Sequence, residues 1–455
     1  MWISSYSFFS TMKFKSLLLG LALGQALGLS ALADDWPQWL GAKRDGVWRE
    51  SGILNEFPDG GPKVNWRVPI GGGYAGPAVA KGKIYVTDRQ LAKDATNPDN
   101  PFSRGHIPGS ERVICLDEKT GRQLWMHEYD CGYTVSYPAG PRTTPTVDGD
   151  RVYTLGAEGN LLCLNADSGK VLWQKDFKTE YGVKTPVWGF AAHPLVRGGH
   201  LICLARGDGS TVVCYDKLSG KEVWRSLTAK EPGYCPPTLI HAAGVEQLII
   251  WHPESLNSLN PDTGEVYWSE PFRVRSGLSI PTPRQLGNRL FITAFYNGSM
   301  MMNLDPDKPG ATLAWKSKRA SEKNTQELHS IMPTPFFEDN HIYGVCSYGQ
   351  LRCLRADTGE RVWEDLTATR GGVEARWANA FLVKHENRFF LFNELGNLLI
   401  ARLTPKGYEE LDKAHLIEPT GRAAGRDVVW SHPAFANRNV LVRNDKEIAS
   451  FSLAE

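Results

Sequence analysis

Tyr74, Arg142, Tyr234 and Trp430 each stand three residues ahead of a proline, at Pro77, Pro145, Pro237 and Pro433, and Trp377 holds the same place before Ala380. His193 and His432 stand one residue ahead of Pro194 and Pro433. Trp188 and Phe190 in PVWGFAAHP join this set, as do His329 and Arg376. Aromatics beside a few arginines and histidines are the material of a concave binding site, with apolar faces to hold a ligand and a few polar groups to orient it. The competing reading is that they plug and cap the scaffold that carries them. Which reading holds depends on whether the fold brings them to one place.

Other chemistries find no support. GGGYAG, Gly71 to Gly76, matches a dinucleotide fingerprint but leads into the strand-like PAVA, and the phosphate-binding use needs a following helix. There is no C-x-x-C-H, no zinc-finger cysteine spacing, no H-E-x-x-H and no G-x-S-x-G. His252-Pro-Glu254 lies in a strand-rich run and reads as packing, and the basic Lys316 to Lys323 stretch reads as a solvated loop.

The elements that position the aromatic set are written in a repeat. TGRQLW ends at Trp125, SGKVLW at Trp173, SGKEVW at Trp224, TGEVYW at Trp268, GATLAW at Trp315 and TGERVW at Trp363, with Leu411 in the same place one period on. Intervals of 44 to 51 residues mark a repeat architecture. Within Thr143 to Phe177 four short β-rich runs are separated by turns at Asp148-Gly149, Glu158-Gly159 and Ser168-Gly169. Four antiparallel strands per unit describe a propeller blade. The repeated Trp then fills the wedge between blades, its indole N–H seeking a partner.

First strands are expected near Pro77, Pro145, Pro194, Pro237, Pro283, Pro335, Ala380 and Pro433, which makes eight blades. The last unit has sequence for only three strands, and KVNWRVPI, Lys63 to Ile70, supplies the fourth. The expected fold is all-β: an eight-bladed propeller over residues 63–455, closed by pairing the N- and C-terminal strands, preceded by an N-terminal segment, 34–62. Long inter-blade loops and an insertion in the first blade, Asp88 to Ser110, fall on one face, so that face is expected to carry function.

Residues 1–33 read as a cleavable export signal, with Lys13 and Lys15, an apolar run from Leu17 to Leu29 and Ala31-Leu-Ala33 before Asp34; Met12 is a second candidate start. The apolar run is too short to span a membrane, and no cysteine near the cleavage point offers a lipid anchor, so a periplasmic or secreted monomer is expected. Without Lys13 and Lys15 the chain carries 49 basic and 50 acidic residues, a balance that gives nucleic acid no reason to bind. Of the eight cysteines, Cys115, Cys163, Cys214 and Cys353 fall on equivalent third-strand positions, as small core residues. A hairpin turning at Asp208-Gly209 would set Cys203 opposite Cys214, which makes a disulfide there one possibility.

The TGxxxW blades and the closing strand resemble the PQQ-like repeat propellers of the quinoprotein alcohol dehydrogenase-like superfamily, over Trp36 to Glu455. DWPQWLGAKRDGVW, GGGYAGPAV and VWGFAAHPLV look still more like exported BamB-like propellers. The resemblance implies two functions. Enzymes of the superfamily hold pyrroloquinoline quinone and Ca²⁺ over the channel and oxidise alcohols or sugars, whereas BamB-type members bind no cofactor and act as scaffolds in outer-membrane protein assembly. The chain departs from both, lacking the vicinal Cys-Cys of the dehydrogenases and the lipidated Cys of the lipoproteins. Glu180, Glu327, Glu374 and Asp427 lie in the right loops for Ca²⁺ but in no family motif; Glu374 and Asp427 are the weak metal candidates. The expectation is therefore a cofactor-free binding or scaffold propeller that takes a small ligand or a protein partner on its loop-rich face. The alternatives are a quinone- and Ca²⁺-dependent dehydrogenase and, more weakly, a carbohydrate-binding module.

Overall fold

Why a glycine and then a tryptophan recur is answered at the joints between blades. In the computed structural model, which describes residues 34–455, five of the repeat tryptophans lie on the turn glycine of the following unit. A Cβ built on Gly121, Gly169, Gly220, Gly264 or Gly359 would fall 2.5–2.8 Å from a ring atom of Trp66, Trp125, Trp173, Trp224 or Trp315 respectively. These glycines also hold φ near +70°, which side chains disfavour. The indole N–H then caps a carbonyl of the next turn: Trp66 on Glu118, Trp125 on Ala166, Trp173 on Lys217, Trp315 on Ala356 and Trp363 on Thr404, all at 2.8–3.1 Å. Trp224 lies on Gly264 but, among the described residues, its Nε1 has no partner; Trp363 caps Thr404 with no glycine under its ring; and Trp268 departs from the pattern in both respects. Gly310, in the longer DPDKPG turn that follows it, has no ring beside it, and Trp268 donates instead to Gln247 of its own blade.

Eight four-stranded antiparallel sheets result. Their first strands are Ala78–Ala80, Thr146–Asp148, Leu195–Arg197, Thr238–Ala242, Arg284–Leu286, Phe336–Glu338, Ala380–His385 and Ala434–Ala436. The expected closure is present. Val64–Pro69 pairs antiparallel with Glu447–Ser452, setting Trp66 against Ser450, so the ring has no free closing edge.

Two expectations about the strands need correction. The first-blade insertion begins later than Asp88, because Lys83–Leu91 and Gly109–Asp117 stay paired from Asp88↔Arg112 to Leu91↔Gly109; the loop itself is 92–108. Cys203 does not face Cys214. The ladder pairs Cys203 with Val213 and Ile202 with Cys214, one residue out of the expected register, and one residue in a strand moves a side chain to the other face. Their sulfurs sit in different blade interfaces, and all eight cysteines are free and buried. Cys115, Cys163, Cys214 and Cys353 do occupy equivalent places, each opposite its blade's tryptophan.

The segment before the propeller fills the channel. Asp35 is held at the Lys81 turn, and the chain then climbs past Val79 and Val147 until Trp39 donates to Thr282 Oγ1 at 2.9 Å. Arg44 donates to the Pro194 and Pro237 carbonyls, where two first strands begin. The return leg pairs with Lys384 and reaches Leu453 and Ala454. This hairpin enters from the short-turn face, with Trp36, Trp39 and Trp48 all buried. The export signal expected over 1–33 lies outside the described residues, and among the described residues no helix is long and apolar enough to cross a membrane.

Trp173 is half-buried, so Trp173→Ala is expected to cost about 2–3 kcal/mol, below the range for a fully buried indole. Gly220→Ala, which drives a methyl into the same ring, is expected to cost about 1–3 kcal/mol. Both are read by chemical denaturation, and neither should change ligand binding at the opposite end of the blades.

Candidate functional site

The long loops surround a cavity of about 440 Å³ at the channel mouth. Its floor is the tip of the N-terminal hairpin. Trp39 stacks on His193, with centroids 4.2 Å apart and planes at 10°, and meets His432 edge-on at 4.3 Å. Both imidazoles are committed below it: His193 Nδ1 accepts the Thr144 N–H at 2.9 Å, and His432 Nε2 accepts the Gly76 N–H at 3.3 Å and lies 2.9 Å from Thr144 Oγ1. Burial holds His432 at about 3, and burial, followed by the nearby His432 and Arg44, keeps His193 well below its usual range. The floor is therefore uncharged at neutral pH. Gly76 is required here because a Cβ would fall 2.2 Å from the His432 ring.

The walls are aromatic and come from loops of several blades. Tyr74 lies under the Arg142 guanidinium at 5.2 Å, Tyr137 stacks near Trp430 at 5.9 Å, and Trp188 meets Tyr234 edge-on at 6.0 Å. Phe102, from the first-blade insertion, touches Tyr137 at 5.1 Å on one side and Trp377 at 5.8 Å on the other. Tyr137 and Trp377 both hold left-handed backbone, φ 54° and 67°, a costly conformation for bulky residues that the surrounding loops must enforce. Behind the wall, fully buried Glu394 accepts from Trp430 Nε1 at 3.0 Å, Arg370 at 2.7 Å and Arg426 at 2.9 Å, and Arg426 in turn holds the Arg376 carbonyl.

The polar groups of the lining are mostly donors. Arg142 gives its N–H groups to the Gly140, Ser136 and Tyr137 carbonyls, and among the described residues it makes no ion pair. Arg376 pairs with Glu322 at 2.8 Å and bonds Tyr296 Oη at 2.9 Å, but its buried Nε has no partner. The buried Tyr137 hydroxyl also has none, and burial pushes it up to about 12, so it stays a donor. Among the described residues no aspartate or glutamate lines the cavity.

Nine expected residues thus meet at the cavity: Tyr74, Arg142, Trp188, His193, Tyr234, Arg376, Trp377, Trp430 and His432. Two do not. Gly189, at φ 74°, turns the chain between Trp188 and Phe190, so Phe190 enters the blade core against Phe177 at 5.5 Å. His329 is wholly buried behind the wall, its Nδ1 3.1 Å from the Phe295 carbonyl, and burial holds it at about 4. The carboxylates do not converge either: Glu374 and Asp427 are exposed, Glu180 is tied to Lys175 and half-buried Glu327 is absent from the lining. Among the described residues no group of His, Cys, Asp and Glu is arranged to hold a metal. Trp39, Phe102, Tyr137, Phe295 and Tyr296 were missing from the sequence expectation. The second-to-third-strand loop AFYNGS, just ahead of its Asn-Gly turn, offered a readable signal for the last pair.

A model of the family described as outer membrane protein assembly factor BamB matches residues 109–365. No curated protein matches the chain. Among solved structures, the quinohemoprotein alcohol dehydrogenase of Comamonas testosteroni superposes with a TM-score of 0.56 at 13% identity, over 92% of this chain and 80% of that one. Quinohemoprotein alcohol dehydrogenase ADHIIG of Pseudomonas putida HK5 gives 0.53 at 14%, over 92% and 80%. BamB of Moraxella catarrhalis gives 0.49 at 16%, over 81% and 98%. At these identities the likeness is one of fold.

Removing Glu394 strands two partly solvated guanidinium groups and the Trp430 N–H. Glu394→Ala is expected to destabilise by about 2–4 kcal/mol, at and below the lower end of the range for breaking a buried ion pair because both guanidinium groups keep some solvent. Glu394→Gln, which keeps an acceptor for Trp430, should lose less. Urea denaturation checks the order, and altered tryptophan emission should accompany the alanine variant.

Proposed function

The chain belongs to the family of the outer membrane protein assembly factor BamB, and from that premise we propose that it is an exported, non-catalytic binding propeller that captures its ligand in the aromatic cavity. The ligand is an organic anion with a flat apolar body. The observation that carries this reading is the imbalance of the lining: Arg142 without a carboxylate, Tyr137 Oη and Arg376 Nε without acceptors, and aromatic faces around them. A ligand carboxylate supplies the missing acceptors, and the rings supply contact area at little entropic cost. The volume suits a molecule of a few fused rings.

Quinone with Ca²⁺ is a poor fit to these residues. Ca²⁺ takes about six to eight oxygen ligands, mostly carboxylate and carbonyl, and the lining has two guanidinium groups and, among the described residues, no carboxylate. Family membership favours a second reading, a protein partner on the same face. Such a partner would meet the cavity with an apolar side chain beside a carboxylate. The signal-like residues 1–33 support a periplasmic or secreted location.

The test uses naphthalene carboxylates, matched neutral naphthalene alcohols and pyrroloquinoline quinone with Ca²⁺, read by tryptophan quenching and calorimetry. The carboxylates should bind tightest. Arg142→Ala should weaken them by about 10- to 100-fold, as for loss of a charge-assisted hydrogen bond, while sparing the alcohols. Arg142→Lys should recover part. Because burial keeps the floor imidazoles well below their usual range, affinity should stay flat from about pH 6 to pH 8. Equal affinity for acid and alcohol would overturn the anion reading. Ca²⁺-dependent quinone binding with alcohol-driven dye reduction would overturn the non-catalytic one.

A further inference from the structure

At the other end of the channel hairpin three carboxylates lack a cation. Glu50 is 6% exposed and accepts three N–H groups: Trp48 Nε1 at 2.7 Å, the Arg438 amide at 2.8 Å and the Asp34 amide at 3.2 Å. Asp35 accepts only from the Lys81 amide, and Glu118 from Asn437. Burial pushes Glu118 up, and the charges of Asp35 and Glu50 add to the shift. Among the described residues none of the three forms an ion pair. Of the basic groups around them, Arg388 donates to Ile53 and Asn55, Lys81 Nζ to the Gly149 carbonyl, His385 Nε2 lies 2.7 Å from the Glu50 carbonyl, and the Arg438 side chain is exposed to solvent.

A buried carboxylate with hydrogen bonds but no positive charge is costly unless a cation arrives. Of the three nitrogens that donate to Glu50, only that of Asp34 can become a cation, because Asp34 follows the small-residue pattern Ala31-Leu-Ala33 and a cut there would free its amine. We propose that hydrolysis of the Ala33–Asp34 bond during export makes the missing cation: the new α-ammonium of Asp34 docks on Glu50 and locks the hairpin that floors the cavity. Water adds across the peptide bond, Ala33 leaves with the carboxylate, and the freed amine takes a proton at neutral pH. The same nitrogen that donates one hydrogen bond as an amide then carries a full charge opposite a buried carboxylate. An extended chain cannot make this pair. The inference rests on the export reading and not on the identity of the ligand, so failure of one leaves the other standing.

The experiment compares chains that begin at Asp34 with chains carrying a Gly-Ser extension ahead of it, each as wild type and as Glu50→Gln. An ammonium stabilised by Glu50 has a folded pKa above its unfolded value near about 8. Its contribution is therefore complete below about pH 8 and is lost as pH rises through the folded pKa. The Asp34-start chain should melt higher than the extended one at pH 7, by about 1–3 °C for a protein of this size, and the two should converge near pH 10. Glu50→Gln should remove the difference. Protease cutting within residues 34–52 should be slower in the Asp34-start chain. Should Glu50→Gln fail to fold, the two wild-type chains still decide. Coincident melting curves from pH 6 to pH 10 would overturn the proposal, as would a first residue other than Asp34 on the exported protein.

Discussion

An indole laid flat on a neighbour's turn is the contact on which this molecule depends. A four-stranded blade cannot bury its own faces, and its stability comes from the blade beside it. The joint works because two demands coincide at one glycine. The turn needs a left-handed residue, and the tryptophan of the preceding blade needs a position without a Cβ. At five of the joints the indole N–H ends on a carbonyl of the neighbour's turn, so one blade orients the next. Where the turn lengthens, at Gly310, the indole reverts to its own blade, which shows that the turn and not the tryptophan selects the partner.

That regularity is why so much was legible in the sequence. The joint is local and recurs, so its period gives the blade count, the first strands and the closing role of Val64–Pro69 without knowledge of tertiary contacts. Position ahead of each first strand gave most of the cavity for the same reason. What failed depends on a single residue of phase. One left-handed glycine sends Phe190 the other way from Trp188, and one step of register separates Cys203 from Cys214. The hairpin in the channel was illegible for a different reason. Its partners lie in distant blades, with Trp39 meeting Thr282 and Arg44 meeting Pro194 and Pro237. No spacing within residues 34–62 announces such contacts.

The cavity combines a neutral, rigid floor with walls rich in donors. Trp39 over two deprotonated imidazoles gives a surface that neither attracts nor repels charge, while Arg142, Arg376 and Tyr137 face the same space from the sides. Selectivity on this plan comes from the walls. The strained Tyr137 and Trp377 belong to loops fixed from behind by backbone bonds and by Glu394, so the aromatic surfaces are in place before any ligand arrives. Pre-organisation of this kind lowers the ordering cost of binding.

The threading of the first described segment sets a timetable. Residues 36–54 pair with Lys384 and Leu453, and Arg388 reaches back 335 positions to the Ile53 carbonyl. These early residues must therefore wait for partners that are made last. Blades in the middle of the chain can form on their neighbours as they emerge, but the channel stays open and the ring unsealed until residue 453 is free to move. Contacts of such separation are slow to form, because the whole intervening chain must be gathered before they repay anything. A molecule built this way leaves residues 36–54 without their partners until its last blade is available, and its cavity acquires a floor only at the end.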